Sequence, residues 1–151
     1  MRRLRAGECV AGAGAAALLG SLFAGWFGPS GETGWSALGW LTLAFCAAAI
    51  AVGAWLPVAT VANRPLAQQV AAAVLAAAVA PFAFGVLALR VLVFQPGDNA
   101  ITTLRYGSWL GLAALLLIAI GGWWAIKDER TDAPESAYTP PAPRPAPPAR
   151  S

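Results

Sequence analysis

Apolar stretches of roughly 20 residues or more recur four times along this 151-residue chain, and the segments joining them are too short to hold a folded domain. They run from about Cys9 to Phe27, Ser36 to Leu56, Gln68 to Phe94 and Tyr106 to Ile126. A helix needs ~20 apolar residues to cross the ~30 Å hydrocarbon core of a bilayer, so each stretch has the length of a transmembrane helix. Short connections force antiparallel sequential neighbours. The expected fold is an all-α membrane protein, an up-down-up-down bundle of four transmembrane helices. Its membrane domain covers residues 1–130, and a disordered tail follows over 131–151. Charged residues make up 11% of the chain, against about 25% in a soluble domain. A water-soluble fold is excluded on that ground.

Charge placement sets the expected orientation. Lys and Arg gather on the cytoplasmic side of membrane proteins. Here Arg2, Arg3 and Arg5 precede the first stretch, Arg64 lies between the second and third, and Lys127 and Arg130 follow the fourth. The opposite loops hold Arg105 against Glu32 and Asp98. Both termini are therefore expected in the cytoplasm, in a multi-pass plasma-membrane protein. The net charge of +3 carries no nucleic-acid signal, because no basic stripe alternates with aromatics. The N-terminal arginines resemble a signal-peptide start, but the apolar run continues to Phe27 without a small-residue cleavage site. It reads as an uncleaved helix. Trp26, Trp35, Trp40 and Trp109 are expected at the outer interface, and Trp55, Trp123 and Trp124 at the inner one, as in an aromatic belt.

Small residues are the expected glue between helices in lipid. Gly12, Ala16, Gly20, Ala24 and Gly28 recur in steps of four along the first helix. The second helix offers Gly39, Ala47 and Ala51, and the fourth offers Gly107 and Gly111. Pro81, inside the third stretch, removes a helical hydrogen bond and predicts a bend there.

Ionisable residues within a membrane are the default functional candidates. Arg90 is the one charge inside an apolar stretch, four residues before Phe94. From there it can reach the outer headgroups or pair with Glu32 or Asp98. Glu8 is its counterpart at the inner face, within reach of Arg5, Arg64 or Arg130. Small multidrug exporters also place four helices in a short chain, but they carry a glutamate midway along the first; here Ala and Gly stand there. Gly28-Pro29-Ser30-Gly31 matches the G-x-S-G of intramembrane serine proteases, whose serine needs a histidine base, and the chain contains no histidine. Cys9 and Cys46 form no C-x-x-C pair. The sequence thus names no catalytic residue, no metal ligand set and no cofactor-binding residue, and the expected protein is not an enzyme.

After Ile126 the composition changes. Pro134, Pro140, Pro141, Pro143, Pro145, Pro147 and Pro148 dominate the tail, which predicts extended, unpacked chain. Pro140 to Pro143 satisfies P-x-x-P, a docking pattern for aromatic grooves.

The Arg-rich start leads into a Gly/Ala helix ending at Trp26-Phe27, then Gly34-Trp35. Later come Arg105-Tyr106-Gly107-Ser108-Trp109-Leu110-Gly111-Leu112, Gly121-Gly122-Trp123 and Asp128-Glu129-Arg130. Over residues 1 to about 130 this pattern resembles a group of uncharacterised four-helix integral membrane proteins of high-GC Gram-positive bacteria. The resemblance implies a plasma-membrane location and no activity, cofactor or site. The expected function is that of an accessory or scaffold subunit, acting through helix association or the tail. Its partners would be the lipid bilayer and a membrane protein or further copies of itself. The alternative is a small oligomeric transporter or channel, with Arg90 and the Pro81 bend in its pathway.

Overall fold

The computed structural model describes residues 4–28, 31–95 and 103–131, the side chains of 129–131 excepted. Arg2, Arg3, Pro29, Ser30, Asp98 and the proline-rich tail lie outside the described residues. The chain is mostly helical: α1 (Ala6–Ser21), α2 (Gly34–Ala37), α3 (Trp40–Val61), α4 (Leu66–Ala88) and α5 (Tyr106–Thr131), with a two-stranded ribbon, β1 (Gly25–Phe27) and β2 (Glu32–Thr33). Three segments, Trp40–Val61, Leu66–Val93 and Tyr106–Asp128, are long and apolar enough to cross a membrane; Ala6–Ser21 is apolar but shorter.

These bounds correct the sequence reading at several points. The first helix does not run to Phe27. It starts where the Glu8 carboxylate accepts the Arg5 backbone N–H at 3.0 Å, half of a capping box. It stops at Ser21, whose hydroxyl turns back to the Leu18 carbonyl at 2.7 Å. The chain then bends and forms β1, paired antiparallel with β2. Gly28 (φ 66) and Gly31 (φ 68) supply the left-handed backbone this reversal needs. Phe27 also bridges to Leu104, and Gly28 N–H donates to the Thr103 carbonyl at 3.1 Å, so the ribbon is tied to the start of α5.

The stretch expected from Ser36 to Leu56 divides into the single turn α2 and the long α3, which runs through Pro57 to Val61. It ends in a Schellman motif: Asn63 takes the left-handed conformation (φ 51), its N–H donates to Thr60, and Arg64 N–H donates to Ala59 at 3.0 Å. Pro65 then caps α4, which begins at Leu66 rather than Gln68 and passes Pro81 without a break. Its last turn, Leu89–Val93, widens into a π-helix closed by Phe94 N–H on the Leu89 carbonyl at 2.9 Å. The last helix extends beyond Ile126 to Thr131.

The helices run antiparallel. Glu8 at the start of α1 meets Thr60 at the end of α3; Arg90 at the end of α4 meets Ala37 before α3; Gly7 lies against Ala125 near the end of α5. α1 packs on α3 and α5, and α4 packs on the same two, so the four form a closed ring in which α1 and α5 share the most extensive interface.

One spacing rule organises all four inner faces. The buried positions include one continuous stripe on each helix: Gly7, Ala11, Gly14, Leu18 and Ser21 in α1; Thr42, Cys46, Ala49, Gly53, Leu56 and Thr60 in α3; Gln69, Ala73, Ala76, Ala80, Ala83 and Leu87 in α4; Gly107, Gly111, Ala114, Ile118, Gly121 and Ala125 in α5. Steps of four and three alternate throughout. The mean of 3.5 residues is that of left-handed knobs-into-holes packing. Where glycines meet, backbones touch: a Cβ on Gly121 would lie 2.6 Å from the Gly7 carbonyl oxygen, and one on Gly14 would lie 2.9 Å from that of Ala114. Gly122 does the same for α4, its Cβ position 2.8 Å from Ala77 N.

Candidate functional site

Polar side chains collect at the two ends of the ring. At one end Glu8 is buried between α1 and α3. Its Oε1 accepts the Thr60 hydroxyl at 2.7 Å, and its Oε2 accepts the Arg5 N–H at 3.0 Å. Thr60 is itself buried and also leans towards the Leu56 carbonyl at 3.4 Å. Gln69, on α4 at the same end, donates to the Arg64 carbonyl at 2.8 Å and so closes the α3–α4 turn. The sequence placed Glu8 at this level but proposed charged partners. The groups seen holding its carboxylate are a hydroxyl and a main-chain N–H. No sequence signal pointed to Thr60, since its contact with Glu8 spans 52 residues.

Arg90 marks the other end. It occupies the π turn, where its guanidinium donates to the Phe94 carbonyl and, at 3.1 Å, to the Ala37 carbonyl. It thereby ties the end of α4 to the turn that precedes α3. Arginine carries five N–H donors in a fixed fork, which suits it to bridging two carbonyls left open at element ends. Gln95 continues the cluster, donating to the Val91 carbonyl at 2.9 Å while its Oε1 is buried without a partner among the described residues.

Trp26 departs most from its expected place. Six of the seven tryptophans are exposed, but Trp26 is 0% exposed. Its indole N–H donates to the Ser21 carbonyl at 2.6 Å. Glycines form its socket: added Cβ atoms on Gly34, Gly107 and Gly111 would lie 2.6–2.9 Å from indole atoms. The sequence flagged Gly107 and Gly111 as packing glycines, and they are; what they receive is a side chain from the ribbon. Exposed Phe23 and Trp35 stack edge to face nearby at 5.7 Å.

Of the steps-of-four run, Ala16 and Gly20 face outward, while Gly12 receives the Pro57 ring. Ala47 and Ala51 of α3 are exposed as well. Cys9 is exposed and Cys46 is buried, in separate helices. Hydroxyls elsewhere serve the backbone: Ser108 donates to the Arg105 carbonyl at 2.6 Å and Ser36 to that of Thr33 at 3.0 Å. Among the described residues no three His, Cys, Asp or Glu side chains gather as a metal would require.

The chain was compared with family models, curated proteins and solved structures, and none matches it.

Proposed function

We propose that this protein is a non-enzymatic plasma-membrane protein of four transmembrane helices, an accessory or scaffold subunit that works through lateral helix association or its tail. The observation that carries the reading is the use to which its inner faces are put. Gly and Ala supply most of the inner positions and let backbones touch where glycines meet, beside buried Leu18, Leu56, Leu87, Leu115 and Ile118, while many large apolar side chains point outward, as at Leu75, Phe82, Leu92, Leu116 and Trp123. Small residues at helix seams and large apolar ones outside are what lipid as solvent favours. α1, α3, α4 and α5 are the crossings, and the connections at Asn63–Pro65 and after Arg130 lie in the cytoplasm with the N-terminus.

Two polar clusters support a structural role for the few charges. Glu8 and Arg90 each complete the hydrogen bonding of a helix end and tether it to a neighbour. The hydroxyl that meets the Glu8 carboxylate, that of Thr60, is buried on both sides of the bond. The Pro-rich segment from residue 132 would then serve as a spacer or docking peptide.

The transporter or channel alternative is favoured by one observation, the π turn at Arg90, since single π turns recur at functional sites. In-cell crosslinking and mild-detergent purification of the full chain, beside a chain ending at Arg130, separate these readings. A partner captured by the full chain and lost on truncation assigns recognition to the tail; capture that survives truncation assigns it to the helices. Self-crosslinks alone, with solute flux in proteoliposomes that Arg90→Gln abolishes, would replace the scaffold reading by the transporter.

A further inference from the structure

An open groove of about 320 Å³ lies between the first turn of α1 and the last turns of α5, lined by Ala6, Trp124, Lys127 and Asp128. Its origin is the packing already described. Gly7 brings α1 onto the backbone of Gly121 and Ala125, but one residue earlier α1 offers only the methyl of Ala6, and the helix begins there. The space beside Trp124 is left without a side chain from α1 to fill it.

We infer that this groove holds the phosphodiester headgroup of an anionic glycerophospholipid, a site that rests on the membrane reading above. Three features select that occupant. The Lys127 side chain is exposed and has no hydrogen-bond or ion-pair partner among the described residues, whereas half-buried Asp128 already has an interaction within the protein. Lys127 thus presents to the groove an ammonium that no described residue engages. The Trp124 indole, 46% exposed, forms a wall with an apolar face and one N–H donor, the chemistry that places tryptophan at headgroup depth. Arg64, exposed at the same end of the ring, adds a second positive charge there. A volume near the lower end of the ~300–1,000 Å³ range of small-molecule sites suits a headgroup whose acyl chains run down the outer face of α5.

The test is native mass spectrometry of the full chain in mild detergent, titrated with phosphatidylglycerol and, separately, phosphatidylcholine. The wild type should retain phosphatidylglycerol preferentially. Lys127→Ala should weaken the first bound lipid by about fivefold, the loss of one basic residue near an anionic surface, and Lys127→Arg should restore it. Ala6→Leu, which fills the groove without touching a charge, should weaken binding as well. Unchanged binding in Lys127→Ala or Ala6→Leu would overturn the site. So would displacement of the lipid by millimolar inorganic phosphate, which would reassign the groove to a free anion. Alkaline carbonate extraction of the same variants separates this failure from a wider one. Protein that stays in the membrane pellet but shows no groove-dependent lipid loses only the site; protein released by carbonate loses the membrane reading too.

Discussion

Gly121 and Gly20 stand in the same sequence context, apolar helix with Ala and Leu around them, yet only one tolerates a side chain. A Cβ on Gly121 would press on the Gly7 carbonyl oxygen at 2.6 Å and on the Ala11 backbone. Neither neighbour is a flexible side chain that could swing aside, so α1 and α5 must separate. Gly121→Ala is expected to cost about 1–3 kcal/mol, the usual range for overpacking a close-packed site. It should lower the midpoint of thermal unfolding in detergent, followed by loss of monodisperse protein. Gly85 is the control, because an added Cβ there meets nothing within 4 Å. Gly85→Ala should leave the midpoint unchanged or raise it, since alanine restricts the unfolded helix backbone by about 0.5–1 kcal/mol relative to glycine. Equal losses in both variants would mean that the contact between α1 and α5 is not what glycine protects. The sequence could show that glycines were abundant. It could not show which of them faced a backbone, because that depends on a residue more than 100 positions away.

At the scale of elements, the apolar lengths and the loops between them were legible, and the seams were not. Gly12, Ala16 and Gly20 invite a step-of-four reading, but on a 3.6-residue helix each such step turns about 40° past the seam. Alternating steps of four and three fall about 10° short on average, so Gly7, Ala11, Gly14, Leu18 and Ser21 stay on one face. That pattern was present in the sequence, hidden because alanine and glycine occupy nearly every other position as well. The ribbon escaped for a different reason. Leu22 to Phe27 is apolar enough to continue a helix, and it leaves the helix because Trp26 finds a better place among Gly34, Gly107 and Gly111. Tertiary packing overrode local propensity there. Where local chemistry was decisive, the sequence sufficed: Asn63-Arg64-Pro65 is a turn, and it forms a Schellman motif with Asn63 at φ 51. Asn63→Gly should be neutral or mildly stabilising, while Asn63→Val, β-branched in the left-handed region, should lose about 1–2 kcal/mol. The same detergent melt reads both. If valine is tolerated, the turn must be able to relax without uncoupling α3 from α4.

For the whole molecule the proposal of four crossings turns on α1, which has 16 residues and at 1.5 Å each spans only about 24 Å. The proposal that it crosses with its neighbours is supported by where its ends lie. At one end Glu8 is level with Thr60, near the close of α3. At the other, Ser21 is level with Gly111, one turn into α5. α1 therefore runs along most of the length of the longer helices, and on that proposal the Leu22–Phe27 segment completes the crossing. Single cysteines placed on a Cys9→Ser, Cys46→Ala background turn this into a parity experiment. Leu4, Glu32, Arg64 and Thr103 are all exposed, and between each consecutive pair the chain passes α1, then α3, then α4. With four crossings and cytoplasmic termini, a membrane-impermeant maleimide on intact cells should label Glu32→Cys and Thr103→Cys. Leu4→Cys and Arg64→Cys should label only after the membrane is opened. Leu4→Cys labelling together with Glu32→Cys would show that α1 lies along one face and that three helices cross. That result would place Ala6 outside while Trp124, at the end of α5, stayed on the cytoplasmic side, and the groove they line would be lost. The reverse pattern at all four positions would keep the bundle and invert it, leaving Arg64 and Lys127 outside against the charge bias that orients such proteins.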